Sequence, residues 1–515
     1  MITRRKTLKG LGITSLAASL PSIAFSQSNT TTSDQLNPLK IPVELRGELN
    51  ADLNTPVRQF QLTLQSGSTS FFPNVQTATM GINGSYLGPT MRFRRGEEVA
   101  LQVQNQLNEP STLHWHGFHL PPSADGGPHQ PIEAGQTWNT GFEVVQYAGT
   151  FWYHSHMLHT SGEQVYRGLA GLILIDDNEQ EVELPSDYGV DDIPLVVQDR
   201  RFDDDGSLLY MNRYEDLVMG MHGETILVNG TRNAFFEAET RKLRLRLLNA
   251  SNARTFTFAF SDDREFHQIA SDGGLLGRPV AMTRLELAPA ERGEIILELA
   301  PGEEVKLLSL GKPNNFPEFD GAMSEIMRKL NTQSFDILQI RAQPELRDSP
   351  EIPEQFNSIY RLPEAASTNT RQFLLSMGSG MRSGEDRGPG RGTRNGNGGG
   401  YGGGQFSING RLMNMNFVNE RIELNTTEIW EVRNNSPMMH PFHVHNGQFQ
   451  ILDRDGVAPA ANEMGWKDTV KVESGELVRI IMRFTDFTDE ENAYMYHCHI
   501  LEHEDRGMMG QFLVV

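Results

Sequence analysis

The chain has 515 residues, with 45 Lys and Arg against 66 Asp and Glu, a formal charge of −21 and a single cysteine. An acidic balance of this size argues against nucleic acid as a partner, because phosphate backbones are held by positive surface. One cysteine excludes an internal disulfide, so the fold must rest on buried cores, divided at this length into about two to four domains.

Residues 1–26 begin with the basic run TRRKTLKG, including the pair Arg4-Arg5, and continue into LGITSLAASLPSIAF, too short to span a membrane, with small residues at Ala24 and Ser26. This segment resembles a twin-arginine export signal, which implies a periplasmic or secreted protein exported already folded. Its removal takes Arg4, Arg5, Lys6 and Lys9 but no acid, and moves the formal charge to −25. No later stretch approaches roughly 18 uninterrupted apolar residues, so no membrane partner is expected.

Three segments further along share one grammar: INGSYLGPTMRFRRGEEVALQVQNQ around Gly84, LVNGTRNAFFEAETRKLRLRLLNAS around Gly230, and INGRLMNMNFVNERIELNTTEIWEVRNNS around Gly410. Each places an Asn-Gly turn ahead of an alternating apolar run that ends in Asn: Asn105, Asn249 and Asn434. Period-two alternation after a turn dipeptide predicts β-strands of a sandwich, and the long spacing predicts three whole β domains rather than a solenoid. The expected domains cover residues 42–180, 190–345 and 370–515, so the fold class is all-β. Residues 378–404 are glycine at nearly every second position and read as a flexible loop entering the third domain.

The 15 histidines are not scattered. His-x-His, the pattern that puts two side chains on one strand face, is expected less than once by chance. It occurs four times: His114/His116, His154/His156, His443/His445 and His497/His499, two pairs in the first domain and two in the third. Neutral imidazole is a common transition-metal ligand, so the pairs point to a metal cluster. Strand geometry then accounts for the lone cysteine: His497 and His499 point to one face while Cys498 points to the other. Cys498 with His440, His503 and Met508 makes the two-His, one-thiolate, weak-Met set of a blue-copper centre.

The motifs HWHG (114–117), HSH (154–156), HPFHVH (440–445) and HCHILEHEDRGMM (497–509) together resemble the four ligand motifs of the multicopper oxidases, in the bacterial three-domain branch of laccases and periplasmic cuprous oxidases. The resemblance implies three consecutive cupredoxin-like Greek-key sandwiches and four copper ions. A type 1 ion would take His440, Cys498, His503 and Met508. A type 2 ion would take His114 and His443. A type 3 pair would take His116, His154 and His499 on one ion and His156, His445 and His497 on the other. The implied reaction couples four one-electron oxidations of a small reductant to reduction of dioxygen to water, and by the same resemblance Asp125 and Glu504 are nominated to carry protons. His119, His129, His159, His222 and His267 lie outside the motifs and read as ordinary surface or loop residues.

The substrate is the least constrained feature. Thioethers suit Cu(I), and Met323, Met327, Met377, Met381, Met438, Met439 and Met464 are candidates, although Met is more often core filler. In the cuprous-oxidase relatives a methionine-rich insert precedes the third domain, and an acid lies four residues before the first His of the third motif. Here the insert is glycine-rich and the acid position is Ser436. The expected activity is therefore laccase-like on phenols or aromatic amines, in a monomer. The alternatives are a cuprous oxidase for copper tolerance and a copper-free cupredoxin scaffold in cell division. A two-domain nitrite reductase would lack the cluster formed by four His-x-His pairs.

Overall fold

The computed structural model describes residues 35–51, 56–177, 182–312, 322–356, 358–378 and 405–515. The expected export signal 1–26 and all but Gly378 of the glycine-rich stretch 378–404 lie outside the described residues. Six β-sheets pair face to face into three sandwiches, each filled by the inward residues of alternating strands. In the first, Val57–Thr69 and Glu98–Asn105 turn Phe60, Leu62, Leu64, Val99, Leu101 and Val103 inward against Phe93, Phe151, Tyr153 and Ile173 of the facing sheet. Those two strands lie parallel and adjacent although far apart in sequence, as crossing Greek-key connections require.

The second sandwich is built from strands between Asp192–Arg200 and Phe335–Arg347, with Leu243, Leu245 and Leu247 in its core. Asn37–Pro38, which precedes the first sandwich in sequence, also joins it by pairing in parallel with Ala234–Thr240. The third runs from Asn369–Gly378 to Met509–Val514 around Trp430, Phe442, Ile480 and Tyr496. Helices such as Ser161–Arg167 and Leu501–Glu504 are short, and among the described residues none is long and apolar enough to cross a membrane.

The repeated asparagines have matching work in each sandwich. Asn83, Asn229 and Asn409 adopt left-handed φ values of 55°, 51° and 54°, which Asn tolerates better than most residues. Each closes on the same kind of neighbour: its Oδ1 accepts a main-chain N–H (Thr63, Val196, Leu374) and its Nδ2 donates to the carbonyl two residues earlier (Gln61, Pro194, Gln372). The asparagines that end the alternating runs form a second recurring knot. Asn105, Asn249 and Asn434 each accept from the N–H two residues on and donate to two carbonyls: Glu109 and Ile132, Arg254 and Leu287, Met438 and Val472. In the third sandwich this knot fixes the turn Ser436–Met438 that leads into His440.

All three terminal asparagines are fully buried, so deleting the amide strands several polar groups at once. Asn249→Ala and Asn434→Ala should each lower stability by about 2 kcal/mol or more. Urea titration of both variants checks this, and an unchanged midpoint in either would contradict the knot as a stabilising device.

Candidate metal centre

The strand Tyr494–Cys498 lies inside a sheet between His440–Val444 and Met509–Val514, in a register that sets Cys498 opposite Phe442 and His497 opposite His443. Its alternation sends Cys498 into the core of the third sandwich. There Cys498 Sγ lies 3.2 Å from His440 Nδ1 and 3.8 Å from His503 Nδ1. The far nitrogen of each ring is occupied: His440 Nε2 donates to Ser436 Oγ at 2.7 Å and His503 Nε2 to the Val218 carbonyl at 3.0 Å. Ser436 Oγ spends its own proton on Met438 O, so it accepts from His440, and both Nδ1 lone pairs are left facing the thiol. The turn of helix Leu501–Glu504 brings His503 back to Cys498. Met508 follows, its carbonyl accepting the Cys498 N–H at 3.0 Å and its side chain buried in the same apolar cluster.

On the other side of that strand, eight imidazoles meet between the first and third sandwiches, all at most 1% exposed. Donor atoms of His116, His154 and His499 lie within 4.8 Å of one another, as do those of His156, His445 and His497, and those of His114, His116 and His443. The outward nitrogens are again held. His114 Nδ1 donates to Asp125 O, His443 Nδ1 to Asp468 O, His154 Nδ1 to Ser155 O and His497 Nδ1 to Cys498 O, at 2.8 to 3.1 Å. His445 Nδ1 donates to Asp125 Oδ2 at 2.8 Å.

The inward nitrogens are what fit a metal. His114 Nε2 and His443 Nε2 are buried with no hydrogen-bond partner; His156 Nδ1 and both ring nitrogens of His499 are likewise unpartnered, so on His499 one nitrogen offers a lone pair and the other carries an N–H without an acceptor. His497 Nε2 lies 3.3 Å from His445 Nε2 and 3.2 Å from His156 Nε2. With the outer protons of His445 and His497 committed, their facing atoms are two lone pairs, an arrangement that repels unless a cation lies between them. Burial also keeps these rings neutral, the form that binds metal: it lowers His440 to about 3 and His156 to about 4, and takes His114, His116, His154, His443, His445, His499 and His503 well below the ordinary imidazole value. Burial pushes the Cys498 thiol upward, so a thiolate there needs a bound cation to displace the proton.

Two carboxyl groups touch the cluster. Asp125, buried, bonds His445 as above, and desolvation raises its pKa well above the usual carboxyl range. Glu504 is also buried, which by itself raises its pKa, but His156 and His497 overrule this and hold it below the ordinary value. Its Oε1 lies 3.3 Å from His156 Nδ1 and its Oε2 3.1 Å from His497 Nδ1.

The nominated copper donors and the two acids thus fall into two adjoining groups, whereas of the nominated methionines Met327, Met438 and Met439 line a cavity and Met381 lies outside the described residues. His119, His129, His159, His222 and His267 stay outside both groups. His267 lies on a strand rather than a loop, and His222 lines a cavity beside the thiol group. Sequence reasoning missed Asp468, whose Oδ1 accepts from His116 Nε2 at 3.1 Å, together with Thr469, Arg292 and the Val218 carbonyl. No spacing rule singles them out, since each acts from a segment remote from the ring it holds.

The cavity, of about 720 Å³, opens at the seam of the second and third sandwiches. Its wall includes Pro437, Met438 and Met439, directly before His440, and Met219, next to Val218. It therefore reaches the residues that frame the thiol group.

Comparison with known proteins agrees with this architecture. Models described as multicopper oxidase match residues 63–180 and 389–515. A multicopper oxidase of Staphylococcus haemolyticus is 34% identical over 90% of this chain and 89% of its own length. The cell division protein FtsP of Dickeya dadantii is 32% identical over 99% of this chain and 98% of its own. The crystal structure of a laccase from Pediococcus acidilactici superposes with a TM-score of 0.78 at 34% identity, covering 93% of this chain and 94% of that one. With three sandwiches, two abutting donor groups and relatives of this kind along nearly its whole length, the chain belongs to the multicopper oxidase family, as an oxidase with dioxygen as its electron acceptor.

Proposed function

We propose that the chain holds four copper ions and oxidises phenols or aromatic amines in the manner of a laccase, in the periplasm or outside the cell after twin-arginine export. His440, Cys498, His503 and Met508 would hold the type 1 ion, and His114 and His443 the type 2 ion. His116, His154 and His499 would hold one type 3 ion, and His156, His445 and His497 the other. Copper in these sites supplies one-electron acceptance at the thiolate and reduction of dioxygen to water at the cluster. The observation that carries the reading is the single residue Cys498, whose backbone neighbours His497 and His499 belong to the other donor group. That backbone gives electrons a short covalent route between a place of collection and a place of use.

The four protons that water formation requires would be drawn from solvent and relayed by this chain's acids. Asp125, favoured in its protonated form, is placed to donate toward the cluster beside His445. Glu504, favoured in its ionised form, is placed to accept and return protons beside His156 and His497. Two carboxyls whose surroundings push them apart in this way divide donor and acceptor roles.

The cavity supports an organic reductant. Its volume suits a substituted aromatic ring, and its two acids are already neutralised: Glu286 and Glu473 both pair with Lys312, at 3.1 and 3.5 Å, and with Lys471. A Cu(I) substrate is the second reading, favoured by the thioethers of Met219, Met327, Met438 and Met439 in the wall. A cell-division role, as in the name of the Dickeya relative, has no use for buried unpaired imidazole nitrogens.

Metal analysis of the purified protein should find about four coppers per chain, and none would leave the scaffold reading. Cys498→Ser should abolish the visible thiolate-to-copper absorption and turnover, and an undiminished band would overturn the assignment. Asp125→Asn should keep that band but slow oxygen consumption by about 10²-fold or more, and unchanged turnover would remove Asp125 from proton delivery. Oxidation of a dimethoxyphenol should proceed without added Cu(II), whereas a strict need for added copper would favour Cu(I) as the substrate.

A further inference from the structure

The second sandwich supplies none of the candidate donors, yet one of its side chains reaches them. Arg292, at the start of the strand Arg292–Glu298, is completely buried and grips Asp468 of the third sandwich through two parallel bonds, Nη1 to Oδ1 at 2.7 Å and Nη2 to Oδ2 at 2.6 Å. Asp468 is itself wholly buried and touches two imidazoles at once: Oδ1 accepts from His116 Nε2, and its main-chain carbonyl accepts from His443 Nδ1. Thr469 Oγ1, which donates to Asp468 Oδ1 at 3.0 Å, lies 3.2 Å from both rings, and the two rings stack at 3.7 Å.

His116 differs from the rest of the cluster. Among the described residues, every other cluster imidazole with an outward partner is held through Nδ1, whereas His116 is held through Nε2 and turns Nδ1 inward, 3.4 Å from His154 Nε2. A main-chain carbonyl beside the same residue serves Nδ1 readily, as at His154 and His497, but the tip of the ring needs an acceptor brought from elsewhere. Asp468 is that acceptor. A buried carboxylate there would be costly alone, and Arg292 both balances its charge and fixes its plane. Arg292 is fixed in turn by bonds to the carbonyls of Thr150 at 3.0 Å, Ala290 at 3.2 Å and Asp272 at 2.9 Å, which together with Asp468 tie all three sandwiches to one guanidinium.

We infer that Arg292 and Asp468 are a positioning pair through which the ligand-free second sandwich sets the tautomer and tilt of His116 and His443. The inference rests on the proposed copper reading of the cluster.

The test compares Asp468→Asn and Arg292→Lys with a control, Arg246→Lys. Arg246 is likewise buried at a sandwich seam, paired to Asp192 and Glu294 and bonded to Thr150, but it touches no imidazole. Copper per chain, the visible thiolate band and the electron-paramagnetic signal of the type 2 ion are read in each. In Asp468→Asn the thiolate band should persist while cluster copper affinity drops by about 10- to 100-fold and the type 2 signal is lost or altered. Arg292→Lys should shift the same way more weakly, and serves alone if Asp468→Asn does not fold. Arg246→Lys should lower thermal stability without changing the type 2 signal. A wild-type chain that takes up no copper would overturn the copper reading and this inference with it. Wild-type copper binding with unaltered signals in Asp468→Asn and Arg292→Lys, or an equal loss in Arg246→Lys, would overturn the positioning pair alone.

Discussion

A strand has two faces, and consecutive side chains cannot share one. The centre of this protein depends on that constraint at Tyr494–Cys498, where a thiol enters the apolar core of the third sandwich while the imidazoles beside it leave that core for the seam with the first. Separation and connection come from the same residue. The two donor groups occupy different environments, one packed among Phe442, Ile500 and Met508 and the other among imidazoles and acids, yet no through-space step is needed to join them.

Burying so many imidazoles without protonating them requires an acceptor for every outward N–H and a reason for every inward lone pair. For His114, His154, His443, His497 and His503 the first requirement is met by main chain: Asp125, Ser155, Asp468, Cys498 and Val218 all offer carbonyls. Main-chain acceptors hold orientation without adding charge, which suits a region that burial keeps neutral. The side-chain acceptors are Ser436 and Asp468 at ring tips and the carboxyl groups of Asp125 and Glu504 beside the cluster. The second requirement, the facing lone pairs of His445 and His497 across 3.3 Å, is one that a bound cation would meet.

Much of this was legible in the sequence because it is local. Period-two alternation gave the strands, Asn-Gly the turns, and His-x-His the shared faces, each set by a few consecutive residues. The return of His503 to Cys498 lay at the edge of legibility, since it needs the helical turn Leu501–Glu504 that strand reasoning does not provide. How the eight cluster histidines divide among ions came from family resemblance, because spacing says only that each pair shares a face. What the sequence could not show is whatever arrives from another sandwich. Val218 on His503 and Arg292 on Asp468 are contacts across more than a hundred residues, and nothing about an arginine in ERGEIILEL or a valine in LVMGM marks it as making them.

The middle sandwich is therefore not a spacer. It shapes the cavity together with the third, through Met219, Thr255 and Arg284 on one side and Pro437, Lys471 and Ser474 on the other, while the histidine cluster occupies the seam between the third and the first. On the proposed reading, a reductant and dioxygen would therefore meet the protein at different seams. This separation matters chemically, because a one-electron donor with direct access to the oxygen site would allow partly reduced oxygen to escape before four electrons had been gathered. The strand carrying Cys498 joins the two donor groups through its backbone, so on that reading the route for an electron would be the covalent one. Three sandwiches are needed for this because two would offer only one seam. The sandwich without candidate donors supplies the second seam and with it part of the cavity wall.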